Sequence, residues 1–391
     1  LGLAQYIVIK SVRCSAMRLL IGGSPCTHWS CAQTINREIH AEGMGWELFR
    51  NFLIAKEKFK PDYFLYENNM SASNAIKEQI SKTLGVELQP IQSLLVTPQS
   101  RHRFYAHNIP NVSQPTDRGV KLSDILESGV PLRAEKTSCL DANYFKGGNL
   151  IKFRRQSSER LVVAEELVCL GESTPLKNLQ GTIVDRLLKT KEATTLYIPV
   201  GVADKKGKVA FIGLMDYKAY SDVAQRPLGH RIPIEVEDTS RGVYGYEVKD
   251  GQILAGDGWH NVILDKDGIY LVRPLTVVEA CRLQTLPDNY CDGATKTAAL
   301  RGLGNGWTAE IIIHILSHIP VDKSTPIEVL SMYDGIGTGR YCLDKLGFTN
   351  VTYYAYEIDK NAIQIATNNY ADIQEYGDAF AVRDDDWWLQ R

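Results

Sequence analysis

No run of about 18 apolar residues occurs in the chain, so no segment is expected to cross a bilayer as a helix. The 8 cysteines include no Cys-x-x-Cys pair and no clustering with histidine. That pattern suggests neither a zinc site nor a disulfide framework, and it fits a reducing compartment. A dominant charge is lacking too: 44 Lys and Arg against 46 Asp and Glu leave a net charge of −2. Contact with nucleic acid would therefore have to rely on local basic clusters rather than on the field of the whole molecule. The opening stretch lacks a signal-peptide cleavage site and does not begin with methionine. The reading takes Met17 as the natural start and residues 1–17 as a poorly ordered lead. With 391 residues, 44% of them hydrophobic, the chain can bury a full core in one large domain plus a smaller or inserted one.

The stretch from Arg18 to Cys31 organises the rest. Leu19-Leu20-Ile21 breaks at Gly22-Gly23-Ser24 and delivers Pro25-Cys26, which reads as a buried strand ending in a displayed cysteine. Ligands of open α/β sheets bind beyond the carboxyl ends of the strands. An isolated cysteine is more often a small buried hydrophobe, so its neighbours must decide. A second apolar run, Tyr63-Phe64-Leu65-Tyr66, ends in Glu67-Asn68-Asn69 and so sets a carboxylate at another strand end. Farther on, Gln99-Ser100-Arg101-His102-Arg103 puts Arg101 and Arg103 on one side if the segment is extended. Between these runs, Trp46, Phe49 and Leu53 mark a helix stopped by Pro61. Ser71 and Ser73 can cap another helix, carrying Ile76 and Ile80 and ending at Gly85 before a strand with Val86, Leu88 and Ile91. Strand and helix alternate as in a mostly parallel sheet.

From 141 to 272 the helical periodicity fades. Short β-rich runs are separated by Asp250-Gly251, Asp257-Gly258 and Asp267-Gly268, which favour tight hairpins. Tyr144, Phe145, Lys152, Arg154 and Arg155 form a basic and aromatic stretch suited to phosphate and base contacts, or else a solvated loop. Helical order returns at Thr276-Val277-Val278-Glu279, a capping box opening a helix through Gln284, and again from Ile311 to Ile319. A strand from Val329 to Tyr333 then runs into Asp334-Gly335-Ile336-Gly337-Thr338-Gly339. Backbone amides at such a glycine loop approach a ligand closely, and a nucleotide site would use the same grammar. The next strand, Thr352 to Tyr356, ends in Glu357-Ile358-Asp359, and Gly377-Asp378 follows.

These motifs resemble those of the cytosine-5 DNA methyltransferases. Pro25-Cys26 looks like the family's nucleophile motif, Glu67-Asn68 like its Glu-Asn motif, and Gln99-x-Arg101-x-Arg103 like its Gln-x-Arg-x-Arg motif. Arg273-Pro274-Leu275-Thr276, with Glu279, Arg282-Leu283-Gln284 and Pro287-Asp288, resembles its scaffold motif, and Leu303-Gly304-Asn305-Gly306-Trp307 its final Gly-Asn motif. Tyr333 to Ile336, Glu357 and Asp378 resemble its S-adenosylmethionine motifs, in wording closest to the animal de novo enzymes. The catalytic motifs come first and the cofactor motifs last, as in a circular permutation, so residues 384–391 are expected to approach residues 10–18. The resemblance implies an α/β, Rossmann-like methyltransferase fold, circularly permuted. Residues 18–140 would carry the catalytic half, 141–272 a smaller β-rich target recognition domain, and 273–391 the scaffold helices and cofactor half.

It also implies the chemistry. Cys26 would add to carbon 6 of a flipped cytosine, Glu67 would act at ring nitrogen 3, and Arg103 with Arg101 would hold the carbonyl oxygen and backbone. S-adenosylmethionine would supply the methyl group. Tyr333, Asp334, Gly335 and Gly337 would surround its methionine and adenosine parts, Glu357 its ribose, Asp378 its adenine and Asn305 its methionine end, with Pro25 also on the cofactor side. No metal is required. Thr27 departs from the glutamine common after the cysteine, and Asn69 from a small apolar residue. The implied partner is double-stranded DNA and no membrane, for a monomeric enzyme in the cytoplasm of a bacterial or phage-infected cell, of the restriction-modification kind. An RNA cytosine-5 methyltransferase and an inactive nucleic-acid-binding scaffold are the alternatives, and a nicotinamide oxidoreductase is distant because it leaves Cys26, Glu67 and Arg103 unexplained.

Overall fold

A computed structural model describes residues 16–31, 35–127, 130–131, 136–144 and 275–386, and the strands at 162–169, 197–203, 209–216, 232–235, 248–249, 252–253, 261–265 and 268–274. The lead before Ala16, Phe145, the basic residues Lys152, Arg154 and Arg155, Asp257-Gly258 and residues 387–391 lie outside the described residues. The chain divides into two units. One is drawn from Leu1–Ile91, His102–Gln114 and Ala309–Arg391, the other from Gln92–Arg101 and Pro115–Thr308.

The first unit is built on strand β1 (Met17–Gly22), whose apolar run is almost wholly buried. After it come α1 (Gly43–Phe59), β2 (Tyr63–Asn69), α2 (Asn74–Leu84), β3 (Leu88–Gln92) and β4 (His102–His107). The far end of the sequence adds α3 (Ala309–Ser317), β5 (Ile327–Met332), α4 (Thr338–Lys345), β6 (Val351–Tyr356), α5 (Lys360–Asn369) and β7 (Ile373–Glu375). These strands form one sheet of 7 in the order β7-β6-β5-β1-β2-β4-β3. The pairs β6 to β7, β5 to β6, β1 to β5 and β1 to β2 are parallel, and β4 runs antiparallel to β2. Parallel strands covered on both faces read as continuous apolar runs, which is why β1 and β5 show no alternation.

The pleat sends alternate residues to opposite faces. Leu20, Tyr66, Met332 and Tyr354 join Phe49, Phe52 and Phe59 of α1 and Ile76 and Ile80 of α2 in one cluster. On the other face Gly339 of α4 sits so close that a Cβ would lie 2.4 Å from Ile21 Cδ1 and 2.5 Å from the Tyr353 hydroxyl. The chain thus crosses on one face from β1 to β2 and on the other from β5 to β6, moving outward in opposite directions. The boundary between β1 and β5 is the topological switch point at which open α/β sheets bind ligands. Among the helix ends, Ser73 rather than Ser71 caps α2, accepting from the Ile76 amide, and Gly85 closes it in the left-handed conformation.

The second unit contains an antiparallel sheet with the path Val209–Asp216, Tyr197–Ala203, Val162–Cys169, Gly268–Pro274, Asn261–Asp265, Ile232–Glu235. Val248–Lys249 pairs antiparallel with Gln252–Ile253, while Asp250 and Gly251 lie outside the described residues. Asp265 pairs with Gly268, which belongs to the strand Gly268–Pro274, and Asp267 lies outside the described residues. The helix Val277–Leu283 opens on the expected capping box, with Thr276 and Glu279 exchanging hydrogen bonds of 2.9 and 3.1 Å.

Candidate active site

Gly22 ends β1 and pairs in register with Met332, which ends β5. A Cβ on Gly22 would lie 2.7 Å from the Met332 carbonyl oxygen, so the close approach of these strand ends requires glycine. Two loops leave from this pair. One runs through Ser24 and Pro25 to Cys26, the other through Tyr333 to Gly337.

The cysteine loop is fixed to the end of β2. Asn68 Nδ2 donates to the Ser24 carbonyl (3.0 Å), Ser24 Oγ (3.2 Å) and the Tyr66 hydroxyl (3.1 Å), while Ser24 Oγ and the Tyr66 hydroxyl lie 2.7 Å apart. Burial holds the Tyr66 phenol far above its ordinary pKa, so it remains a neutral partner in this network. Cys26 opens a short 3₁₀ turn and is itself partly exposed. The Trp29 and Ser30 amides donate back to its carbonyl. Trp29 is fully buried and its indole donates to Glu38 at 3.2 Å. Farther along, the Cys31 amide donates to Ser71 Oγ at 3.1 Å and Arg37 donates to the Ser71 carbonyl. A displayed cysteine on an anchored turn is what a nucleophile needs.

Glu67 and Arg103 are both buried and meet at 3.0 Å, Oε1 to Nε. Register explains the contact: Asn69 faces Arg103 and Glu67 faces Tyr105, so Glu67 and Arg103 are diagonal neighbours on one face of the β2 and β4 pair. Arg101 departs from the expected arrangement. The strand Gln99–Ser100 ends before it and β4 begins after it, so Arg101 and Arg103 do not share one extended segment. Arg101 belongs to the second unit, where its buried guanidinium donates to the carbonyls of Leu140 (3.1 Å), Gly304 (3.2 Å) and Gly306 (2.7 Å). Gln99 and Gln284 support the same region, with Gln99 Nε2 donating to the Leu283 carbonyl (2.9 Å) and Gln284 Oε1 (3.1 Å). Asn305 also lies in the second unit, as the last residue of the helix Lys296–Asn305. Tyr144, expected as a base contact, is instead buried, and its hydroxyl accepts from the Leu275 amide at 2.6 Å.

A family model described as C-5 cytosine-specific DNA methylase matches residues 8–320. The chain belongs to that family. A solved structure of a Spodoptera frugiperda DNMT2 mutant is 14% identical, with a TM-score of 0.38 over 77% of this chain and 78% of that one. Members of the C-5 cytosine methylase family are methyltransferases of nucleic acid that take their methyl group from S-adenosylmethionine. The loop after β5 fits that donor. Gly335 and Gly337 adopt positive φ of 64° and 78°, and a Cβ on Gly335 would meet nothing within 4 Å, leaving open space over its backbone. Glu357 is preset by three amides, with Oε2 accepting from Gly335 (2.9 Å) and Oε1 from Ile358 (2.8 Å) and Asp359 (2.9 Å). Ile358, next in the chain, is 69% exposed, an apolar neighbour that sequence reasoning passed over because isoleucine beside a strand ordinarily reads as core.

Asp334 is part of the methylase's glycine loop. Its Oδ1 accepts from Ser331 Oγ and the Tyr353 hydroxyl, both at 2.6 Å, and burial raises its pKa to about 6. Asp334 Oδ2, Thr338 Oγ1 and both Glu375 oxygens are buried without a hydrogen-bond partner among the described residues. Desolvation, then the charges of Asp334 and Glu357, raise Glu375 to about 8. Asp378 caps the turn that follows it, its Oδ1 accepting from Phe380 at 2.9 Å, with the side chain exposed. No group of three or more His, Cys, Asp or Glu suited to a metal occurs among the described residues.

Proposed function

We propose that the chain methylates carbon 5 of cytosine within a specific short sequence of double-stranded DNA, with Cys26 as its nucleophile. The observation that carries this reading is the pairing of Gly22 with Met332, which starts the cysteine loop and the glycine loop from adjacent strand ends, with Glu67 near the end of β2 and Arg103 beside it on β4. Carbon 5 of cytosine is a weak nucleophile. Addition of the Cys26 thiolate to carbon 6 forms a carbon–sulfur bond and makes carbon 5 enamine-like. Glu67, oriented by Arg103, supplies a proton or hydrogen bond at ring nitrogen 3 and so draws off the developing electron density. S-adenosylmethionine supplies an electrophilic methyl group when bound. Transfer of the carbon 5 proton to solvent, expulsion of the Cys26 thiolate as the ring double bond re-forms, and return of the nitrogen 3 proton to Glu67 then release 5-methylcytosine and restore the enzyme. Because the attacked atoms lie inside the base stack, the target must be flipped out.

For the donor, Glu357 would hold the ribose diol, Asp378 the adenine amino group, and Tyr333, Asp334, Gly335 and Gly337 the remainder of the adenosine and methionine parts, with Pro25 and Asn305 on the methionine side. Arg101 is assigned a supporting role through the carbonyls it binds. Residues 141–272 would recognise the target, flanked by the catalytic half at 18–140 and the scaffold and cofactor half at 273–391. Circular permutation is part of the same proposal. It is supported by the family match ending at residue 320, before β5, β6 and β7. It is supported also by consecutive residues of α1: Lys58 donates to the Asp385 carbonyl (2.9 Å) while the Phe59 carbonyl accepts from Arg18 (3.2 Å), bringing both ends of the described chain to one helix end.

The test is single-base methylation sequencing of DNA from a methylation-free bacterial host expressing the chain, beside the Cys26→Ala variant. Methylcytosine at one fixed motif, absent with the variant, is the expected result. Unmodified DNA alongside Cys26-dependent methylcytosine in RNA of the same cells would replace the DNA reading with RNA. Neither, from soluble protein that binds the donor, would leave an inactive scaffold.

A further inference from the structure

Asn51 stands in the middle of α1 and is fully buried, an unusual place for a primary amide unless its polar atoms are matched. They are matched by two residues from the other end of the sequence. Asn51 Nδ2 donates to the Tyr333 hydroxyl at 3.2 Å, and Asn51 Oδ1 accepts from Arg383 Nε at 2.7 Å. The Tyr333 hydroxyl in turn donates to the Leu48 carbonyl at 2.7 Å, and Arg383 Nη2 reaches Glu47 Oε2 at 2.7 Å. One helix face, Glu47 to Asn51, thus grips both the first residue of the glycine loop and the segment just beyond Asp378.

Tyr333 needs such a grip. Its φ is +62°, and bulky residues hold that conformation only where the surroundings over-determine it. Tyr333 directly precedes Asp334 and Gly335, whose amide is the donor to Glu357. Arg383 belongs to the turn Ala379–Arg383 that Asp378 caps. We infer that Asn51 is a positioning residue for the methyl-donor site, setting the glycine loop through the Tyr333 hydroxyl and the Asp378 turn through Arg383. This rests on the assignment of the donor to the loops at Tyr333–Gly337, Glu357 and Asp378. The relay gives the strained loop one conformation before the donor arrives, so its loss lowers the competent fraction and with it the apparent affinity.

The test is calorimetric binding of S-adenosylhomocysteine to the full chain, with thermal unfolding measured on the same samples. Asn51→Ala and Tyr333→Phe are each expected to weaken binding on the order of tenfold, and the double variant no more than Asn51→Ala alone. Asn51→Asp keeps an acceptor for Arg383 but loses the donor to Tyr333, and it is expected to bind more weakly than the wild type but no more weakly than Asn51→Ala. Unchanged affinity in both Asn51→Ala and Tyr333→Phe, with only a lowered melting temperature, would reduce Asn51 to a structural role. Wild-type affinity in Asn51→Asp would overturn the route through Tyr333. If Asn51→Ala does not fold, Asn51→Asp, which keeps the side chain's size and removes the donor to Tyr333, decides in its place. Glu357→Gln separates the proposal from the site assignment. Should it bind as tightly as the wild type, the assignment fails; should it weaken binding while Tyr333→Phe and Asn51→Ala do not, the relay fails.

Discussion

Gly22 and Met332 are register partners at the ends of adjacent parallel strands, and their backbones are near enough that no Cβ fits between them on the Gly22 side. The two loops of the candidate active site begin at this pair, so its spacing sets theirs. Gly22→Ala forces a methyl group to within 2.7 Å of a backbone oxygen that cannot rotate away. A loss of about 1–3 kcal/mol in stability is expected from urea unfolding, with activity falling further because the strand ends must part. An unchanged unfolding midpoint would contradict the close approach.

Gly335→Ala tests a different quantity. Open space surrounds the position, but φ is +64°. Strain alone is expected to cost about 1–2 kcal/mol. Binding of S-adenosylmethionine should weaken along with stability, since relaxing φ withdraws the amide that meets Glu357. Calorimetry of the variant at matched folded fraction checks this.

Glu67→Gln keeps the shape of the side chain and removes its capacity to exchange a proton. Methyl transfer from labelled donor is expected to drop by about 100-fold or more, with the protein still folded. Arg103→Ala has a second consequence, because it leaves a buried carboxylate without its partner 3.0 Å away. That variant should lose about 3–5 kcal/mol of stability as well as activity.

Arg101→Ala is expected to act on stability first. The buried guanidinium serves three backbone carbonyls, and its removal takes a donor from each. A loss of about 1–3 kcal/mol in chemical denaturation is expected. Protein that retained full stability while losing turnover would instead return Arg101 to the reacting base.

Glu375 carries a folded pKa of about 8 against an ordinary 4.5, raised by burial and then by Asp334 and Glu357. Between these values the folded state holds the extra proton, so stability falls as pH rises from about 4.5 to 8. Glu375→Gln removes this contribution. The variant should match the wild type below the lower value and exceed it above the upper one, by on the order of 1 kcal/mol once solvent screening of the half-buried group is allowed for. Unfolding curves at pH 4.5 and 8.5 supply the comparison.

Local grammar was enough for much of this protein. The apolar runs of β1, β2, β5 and β6, the stops at Pro61 and Gly85, and the capping box at Thr276 and Glu279 each follow from backbone and side-chain preferences over a few residues, and Cys26, Glu67 and Glu357 stand at strand ends that those runs mark. Tertiary structure decided the partners. Nothing in Gln99 to Arg103 tells that the strand breaks at Arg101, because the break is enforced by carbonyls of Leu140, Gly304 and Gly306 that are distant in sequence. The antiparallel register of β2 and β4 gave Arg103 to Glu67, and burial against Leu275 took Tyr144 from the surface. The grip of Asn51 on Tyr333 and Arg383 was equally out of reach of sequence reasoning, since an asparagine in a helix reads as solvent-facing until the residues that bury it are known. Periodicity and turn chemistry are local and so are written in the chain. Register, burial and pairing depend on which segments meet, and the fold alone decides that.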